Sequence, residues 1–302
     1  MYGFPIEYEG RVYRPPSEGE SLLIQVTIGC SNNKCTYCAM YRDKTYRERS
    51  WKEIEEDIEK GKRFLDSIGQ YPSKVFLCDG DALGASTELL CKTLDKLNKC
   101  FPDIRRVGVY ATAQNILEKS CEDLKVLHER NLSIAYLGME SGDDQVLKLV
   151  VKGNDSSDMI KASQKIRRAG FKLSVIAMLG LGGKKFSKDH CENTAKAISL
   201  MKPEFFSFLT TTPVPGTPYA KMVSRDTWQE LSNKELLTEM RDIIANINLS
   251  NDRIILRANH VSNLHPLAGV LPQDKENIIE NLNSWIDECP ENTYVKVDPS
   301  NL

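Results

Sequence analysis

The sequence predicts an α/β protein: a partial (β/α)6 barrel of the TIM-like kind with a C-terminal α/β extension. Two patterns carry that prediction. From residue 22 to about 210, short β-branched apolar runs alternate with amphipathic stretches, as βαβ units with parallel strands require. After Pro213-Val214-Pro215-Gly216-Thr217-Pro218 the alternation stops, and a polar helix, a short strand and a further helix follow. A chain of 302 residues with 41% hydrophobic content can bury a core of this kind. Six consecutive right-handed βα units suit a partial barrel better than a flat doubly wound sheet. In either architecture the loops leaving the carboxyl ends of the strands gather on one face. Residues 1–215, with a short lead-in over 1–20, are expected to form the core, and residues 216–302 an extension that caps it.

Expected strands are 22–28, 74–77, 106–110, 132–137, 172–178 and 205–209. The first helix opens on Ser50 and Glu53, a capping box, and Ile54, Ile58, Leu65 and Ile68 recur on one face. Leu89, Leu90, Thr93, Leu94 and Leu97 form the stripe of the second. Ser120 with Asp123 caps a third that runs through Leu124, Leu127 and His128. A helix over 159–169 stops at Gly170, where a left-handed residue ends it, and 187–201 closes the series. Beyond the proline-rich segment the reading is a helix over 228–246, a strand over 253–256 and a helix over 274–288. No internal repeat beyond the βα alternation and no low-complexity tract is present.

Forty basic against 42 acidic residues leave no global electrostatic footprint for a nucleic-acid partner. No apolar run approaches the roughly 20 residues that span a bilayer, so no membrane partner is expected. Residues 1–14 lack a charged-then-apolar leader, and a cytoplasmic protein is expected. Of nine cysteines, Cys78, Cys91, Cys100, Cys121, Cys191 and Cys289 are scattered and read as small buried hydrophobes.

The other three stand on one loop directly after the first strand: Gly29-Cys30-Ser31-Asn32-Asn33-Lys34-Cys35-Thr36-Tyr37-Cys38. Thiolates are the soft ligands that iron-sulfur clusters require, and Cys30, Cys35 and Cys38 can take three corners of a 4Fe-4S cube, leaving one iron open. A structural zinc site needs a fourth Cys or His; it stays open if His260 or His265 folds back.

This loop resembles the signature of the radical S-adenosylmethionine (radical SAM) superfamily, in which three Cys bind a cluster and an aromatic residue, here Tyr37, precedes the last. The spacing departs from the usual CxxxCxxC by one extra residue among Ser31 to Lys34. The resemblance implies that the open iron chelates the amino and carboxylate groups of S-adenosylmethionine. Reductive cleavage then gives a 5'-deoxyadenosyl radical that takes hydrogen from a substrate. Cys78-Asp79-Gly80-Asp81 resembles the segment that receives the ammonium of S-adenosylmethionine, with Asp81 in place of a glutamate; an ordinary Asp-Gly turn is the competing reading. Gly138-Met139-Glu140-Ser141-Gly142 resembles the branch that includes the Elongator catalytic subunit, the coproporphyrinogen dehydrogenases and the methylthiotransferases. Glu140 and Ser141 would then hold the ribose, a role compatible with a capping turn. Gly180-Leu181-Gly182-Gly183 resembles the turn that lets backbone approach the adenine, and it lacks the spacing of a dinucleotide fingerprint. Pro-Gly-Thr-Pro after the sixth strand also recurs in these relatives.

The polar run Arg257-Ala258-Asn259-His260-Val261-Ser262-Asn263 is expected to meet the substrate through Arg257, Asn259, His260 and Asn263, across the gap a six-unit barrel leaves open, and Arg257 slightly favours an anionic polar group. The expected partners are a small or medium-sized organic substrate and a low-potential electron donor such as flavodoxin or ferredoxin. The rivals are an RNA-modifying radical SAM enzyme, which would usually show a basic auxiliary domain, and a non-catalytic iron-sulfur or zinc-binding regulator. A cobalamin domain finds no room in residues 1–20, and an auxiliary cluster would need a second cysteine group, of which only Cys289 lies beyond Cys191.

Overall fold

The structure is a computed structural model and describes residues 5–294. Its strands are β1 (Leu22–Gln25), β2 (Thr27–Ile28), β3 (Arg47–Glu48), β4 (Lys74–Cys78), β5 (Arg106–Ala111), β6 (Leu132–Glu140), β7 (Lys172–Leu179), β8 (Phe205–Thr210), β9 (Ile254–Arg257) and β10 (Ala268–Leu271). Eight form one sheet in the order β1-β4-β5-β6-β7-β8-β9-β10, so neighbours in the sheet follow one another along the chain, as in a partial barrel. In it β1·β4, β4·β5, β5·β6, β7·β8 and β8·β9 pair in parallel, and β9·β10 antiparallel. The expected first strand over 22–28 is divided: after Val26, β2 leaves the sheet to pair antiparallel with β3.

The chain divides into two compact units. One comprises the chain up to Asn33, Met40–Leu137 and Gln164–Leu173. The other comprises Lys34–Ala39, Gly138–Ser163 and the chain from Ser174 on. In the first, α1 (Trp51–Ile68) begins on the Ser50–Glu53 capping box and ends on Gly69, with Ile54 and Ile58 fully buried. Next, α2 (Thr87–Cys100) buries Leu90, Thr93, Leu94 and Leu97. Two shorter helices follow, α3 (Ala113–Glu118), capped by Thr112, and α4 (Cys121–Glu129), capped by the Ser120–Asp123 box. Val75, Phe76, Leu77 and Cys78 of β4 are all inaccessible, which is how a parallel strand covered on both faces reads. The lead-in is tied down: buried Glu18 accepts from Arg106 at 2.6 Å and from the Tyr136 hydroxyl.

The second unit holds α5 (Asp144–Leu149), the first part of α6 (Ser156–Arg168), α7 (Gly183–Met201), α8 (Pro218–Ser224), α9 (Asn233–Asn246) and α10 (Lys275–Glu288). Helix α7 starts four residues before the expected Ser187 because Gly183 already follows the turn leaving β7. Helix α9 starts after the expected Trp228, where Ser232 and Glu235 form a capping box. It packs along α7 and α10. No helix among the described residues is long and apolar enough to cross a membrane.

Candidate functional site

Within the first unit, the residues after β4 hold the start of the cysteine loop. Asp79, fully buried in a left-handed conformation (φ 73°), accepts from the Gly29 N–H at 2.7 Å, from Gln25 Nε2 at 3.2 Å and from Lys44 Nζ at 3.0 Å. The Gly80 N–H donates to the Gly29 carbonyl at 2.9 Å. A Cβ on Gly80 would lie 2.5 Å from Cys30 Cβ, so only glycine lets the backbone pass this close to the first thiol. Asp81, also buried, accepts from the Ser31 N–H at 3.1 Å, from the Ser31 hydroxyl and from Asn115 Nδ2 at 3.1 Å. Burial pushes its carboxyl above the usual range, while the Ser31 and Asn115 hydrogen bonds pull the other way. The extra residue of the loop is taken up by a turn in which the Asn33 N–H donates to the Cys30 carbonyl at 3.2 Å, and Asn33 Nδ2 donates to the Tyr41 and Lys44 carbonyls.

Within the second unit, the Thr36 N–H donates to the Val150 carbonyl at 2.9 Å, and the Thr36 carbonyl accepts from the Tyr219 N–H at 3.1 Å. Between Cys35 and Cys38, Tyr37 packs on Val146, Val150 and Leu181 beside Met178 and Phe186. Burial, then the Glu140 carboxylate with which it hydrogen-bonds, pushes its phenol well above the ordinary value. Glu140 ends β6 in a left-handed conformation (φ 67°), rare for a residue with a Cβ, and accepts from Lys152 Nζ at 2.9 Å. A Cβ at Gly138 would meet the Glu140 carboxylate at 2.3 Å. The Ser141 hydroxyl lies 2.8 Å from His190 Nδ1 and accepts from the Asp143 N–H at 3.0 Å; Asp143 in turn caps α5. The Gly180 N–H donates to Glu239 at 2.6 Å, and Gly182 lies against the Phe186 backbone.

The C-terminal run is fastened to the carboxyl end of β8. Asn263 Nδ2 donates to the Phe208 carbonyl at 2.8 Å, the Thr210 hydroxyl donates to Asn263 at 3.0 Å, and the Thr210 N–H donates to the Ser262 hydroxyl at 3.0 Å. His260 Nδ1 accepts from the Ser262 N–H at 3.2 Å, and burial lowers the imidazole pKa. Arg257 and Asn259 are exposed, and Arg257 Nη1 donates to the Leu256 carbonyl at 2.7 Å. His265 stacks on Trp285 at 4.6 Å. Lys44, Asn115, Lys152, His190 and Glu239 carry this arrangement and were not singled out from sequence.

The donor set fits a cluster. Three thiols stand on one loop, each half-buried, with a glycine backbone pressed against the first. Among the described residues no three His, Cys, Asp or Glu side chains are gathered as ligands of a single metal ion.

Comparison with known proteins gives one family: the model of the Radical SAM superfamily matches residues 24–198, more than half of the chain. A heme chaperone, HemW of Bacillus subtilis, is 23% identical over 171 residues, covering 56% of this chain and 44% of that protein. A probable threonylcarbamoyladenosine tRNA methylthiotransferase of Methanocaldococcus jannaschii is 26% identical over 241 residues, covering 76% of this chain and 53% of that protein. The chain thus spans about half the length of these two relatives. Coproporphyrinogen III oxidase (HemN) from Escherichia coli shares the fold with a TM-score of 0.53 at 15% identity, over 74% of this chain and 51% of that one.

Proposed function

Because this chain belongs to the radical SAM superfamily, we propose that it is an enzyme that cleaves S-adenosylmethionine reductively and acts on a small or medium-sized polar organic substrate. Cys30, Cys35 and Cys38 would hold its 4Fe-4S cluster. When bound, the cluster supplies the low-potential electron that splits the sulfonium, and 5'-deoxyadenosine leaves once hydrogen has been taken from the substrate. The observation that carries this reading is the thiol trio on a loop whose start is held by the turn after β4, through Asp79, Gly80 and Asp81, with the family match around it.

The chain's own residues divide the remaining work. Three protein thiolates would leave one iron without a protein ligand, open to the amino and carboxylate groups of S-adenosylmethionine, and the turn at Asp79, Gly80 and Asp81 would accept the N–H of that amino group. The Asp81 carboxylate already accepts from Ser31 and Asn115, which supports a role in steadying the cysteine loop beside that of an acceptor. Glu140, oriented by Lys152 and Tyr37, keeps acceptor capacity for ribose hydroxyls. Ser141 anchors the same turn from beneath, and Gly180 and Gly182 bring backbone to the adenine.

Residues 216–302 extend the core of 1–215, supported by α9 along α7 and β9 beside β8. Exposed Arg257 and Asn259, with His260 and Asn263, supply the polar contacts to substrate. The electron comes from a low-potential carrier such as flavodoxin or ferredoxin, and the setting is cytoplasmic. RNA modification is a second reading, favoured by the likeness to a tRNA methylthiotransferase over 76% of this chain. The net charge of −2 favours the small substrate.

Anaerobic reconstitution with iron and sulfide should give about four irons per chain and, with dithionite, 5'-deoxyadenosine. Alanine at Cys30, Cys35 and Cys38 together should abolish both, and iron retained in that variant contradicts the assignment. Stimulation of turnover by tRNA but not by polar metabolites would select the second reading.

A further inference from the structure

A line of buried side chains joins the two turns of the second unit that carry Ser141 and Gly180. The Ser141 hydroxyl accepts from the Asp143 N–H at 3.0 Å and lies 2.8 Å from His190 Nδ1, to which it can donate when the ring carries its proton on Nε2. That nitrogen faces Glu239 Oε1 at 3.6 Å and has no hydrogen-bond partner among the described residues. Glu239, on α9, directs its oxygens to the Gly180 N–H at 2.6 Å and to the Ser187 hydroxyl. Ser141 and His190 are fully buried and Glu239 is 1% exposed, so none of the three is open to act on a ligand itself. One turn before Glu239, Leu236 closes over Gly180, where a Cβ would lie 2.9 Å from Leu236 Cδ2.

A carboxylate withdrawn this far from water is costly to keep unless its hydrogen bonds are used. Its acceptors meet a backbone N–H that no side chain within the family-matched residues 24–198 satisfies. The chain beyond that stretch thus completes a turn inside it.

We propose that His190 and Glu239 are positioning residues for S-adenosylmethionine. Held between them, the Glu140–Ser141 turn and the Gly180 turn form one preorganised unit. This rests on the reading that those turns face the ribose and adenine. Glu140 sits at a positive φ, a conformation that persists only while its surroundings enforce it, and Ser141 is the neighbouring residue pinned from below. Loss of His190 releases that pin, and loss of the Glu239 charge weakens the charge-assisted hydrogen bond that holds the Gly180 N–H.

The test compares His190→Phe, which keeps bulk and removes the Nδ1 acceptor, with His190→Asn, which returns an acceptor near that place. Glu239→Gln keeps shape and the acceptor for Gly180 while removing the charge. In the reconstituted holoenzyme, the dissociation constant for S-adenosylmethionine by titration calorimetry should weaken about ten-fold or more in His190→Phe, about five-fold in Glu239→Gln and no more than about three-fold in His190→Asn. Iron content should be unchanged, and the loss should fall on KM for S-adenosylmethionine rather than on kcat. Glu140→Ala is the reference. If it binds normally, the reading of the two turns fails. If it binds weakly while His190→Phe and Glu239→Gln bind like wild type, the positioning role fails alone. Should His190→Phe not fold, wild-type binding by Glu239→Gln overturns the proposal.

Discussion

At the scale of single residues, the site depends on close approaches that leave no room for a methyl group. Gly80 is the sharpest case, since a Cβ there would fall 2.5 Å from that of Cys30. Gly80→Ala should cost about 1–3 kcal/mol of stability through overpacking, and iron loading should fall to a small fraction of wild type while circular dichroism stays native. Full iron content in the folded variant would show that the first thiol tolerates displacement. The cysteines, Glu140 and the glycines were candidates from the sequence because their residue types and spacing are local signals. Lys44, Asn115 and Glu239 were not, because each acts on a group 35, 34 and 59 residues away. Nothing in their immediate neighbours distinguishes a buried carboxylate from an exposed one.

At the scale of elements, helix starts marked by a capping box early in the chain were readable, whereas those of α7 and α9 lie four and five residues from their expected places. Ser50 and Ser120 cap their helices with Glu53 and Asp123 as the sequence indicates, since a capping box is a contact between residues three apart. Strands β4 to β8 begin where the sequence placed them, but the first expected strand is divided. The break between β1 and β2 comes from pairing with β3, and β10, a run of Ala-Gly-Val-Leu, is a strand only because β9 lies beside it. The Arg257–Asn263 run carries a pH prediction. Burial holds His260 below its ordinary 6.5, so the fold favours the neutral ring. The stability this contributes is full above about pH 6.5 and is lost as pH falls through the lowered value. Protonation of Nδ1 removes the acceptor used by the Ser262 N–H. Hydrogen exchange at Ser262 and Asn263, corrected for intrinsic rate, should therefore quicken on going from about pH 7 to about pH 5, with no matching change in α1. Equal protection at both values would mean that the ring stays neutral or that Ser262 finds another acceptor.

At the scale of the whole molecule, the family-matched stretch is packed against the chain that follows it. The buried face of α7, with His190, Thr194, Ala195, Ile198 and Met201, has α9 packed along it. A chain ending at Met201 leaves that face and the β7 edge open, and it should lack a cooperative thermal transition and aggregate. A soluble, cooperatively melting fragment would contradict this. The barrel class itself was legible, because alternating strand and helix periods recur over about 190 residues, whereas the pairing of the expected strand over 253–256 with β8, as parallel β9, and the reversal at β10 follow from packing beyond that pattern. That reversal bears on how the architecture can diversify. A further βα unit must append a parallel strand to an edge, and the edge beyond β9 is taken by a strand running the other way. A βα unit grafted at that end would therefore meet an antiparallel neighbour, and would continue the parallel barrel only if β10 were displaced.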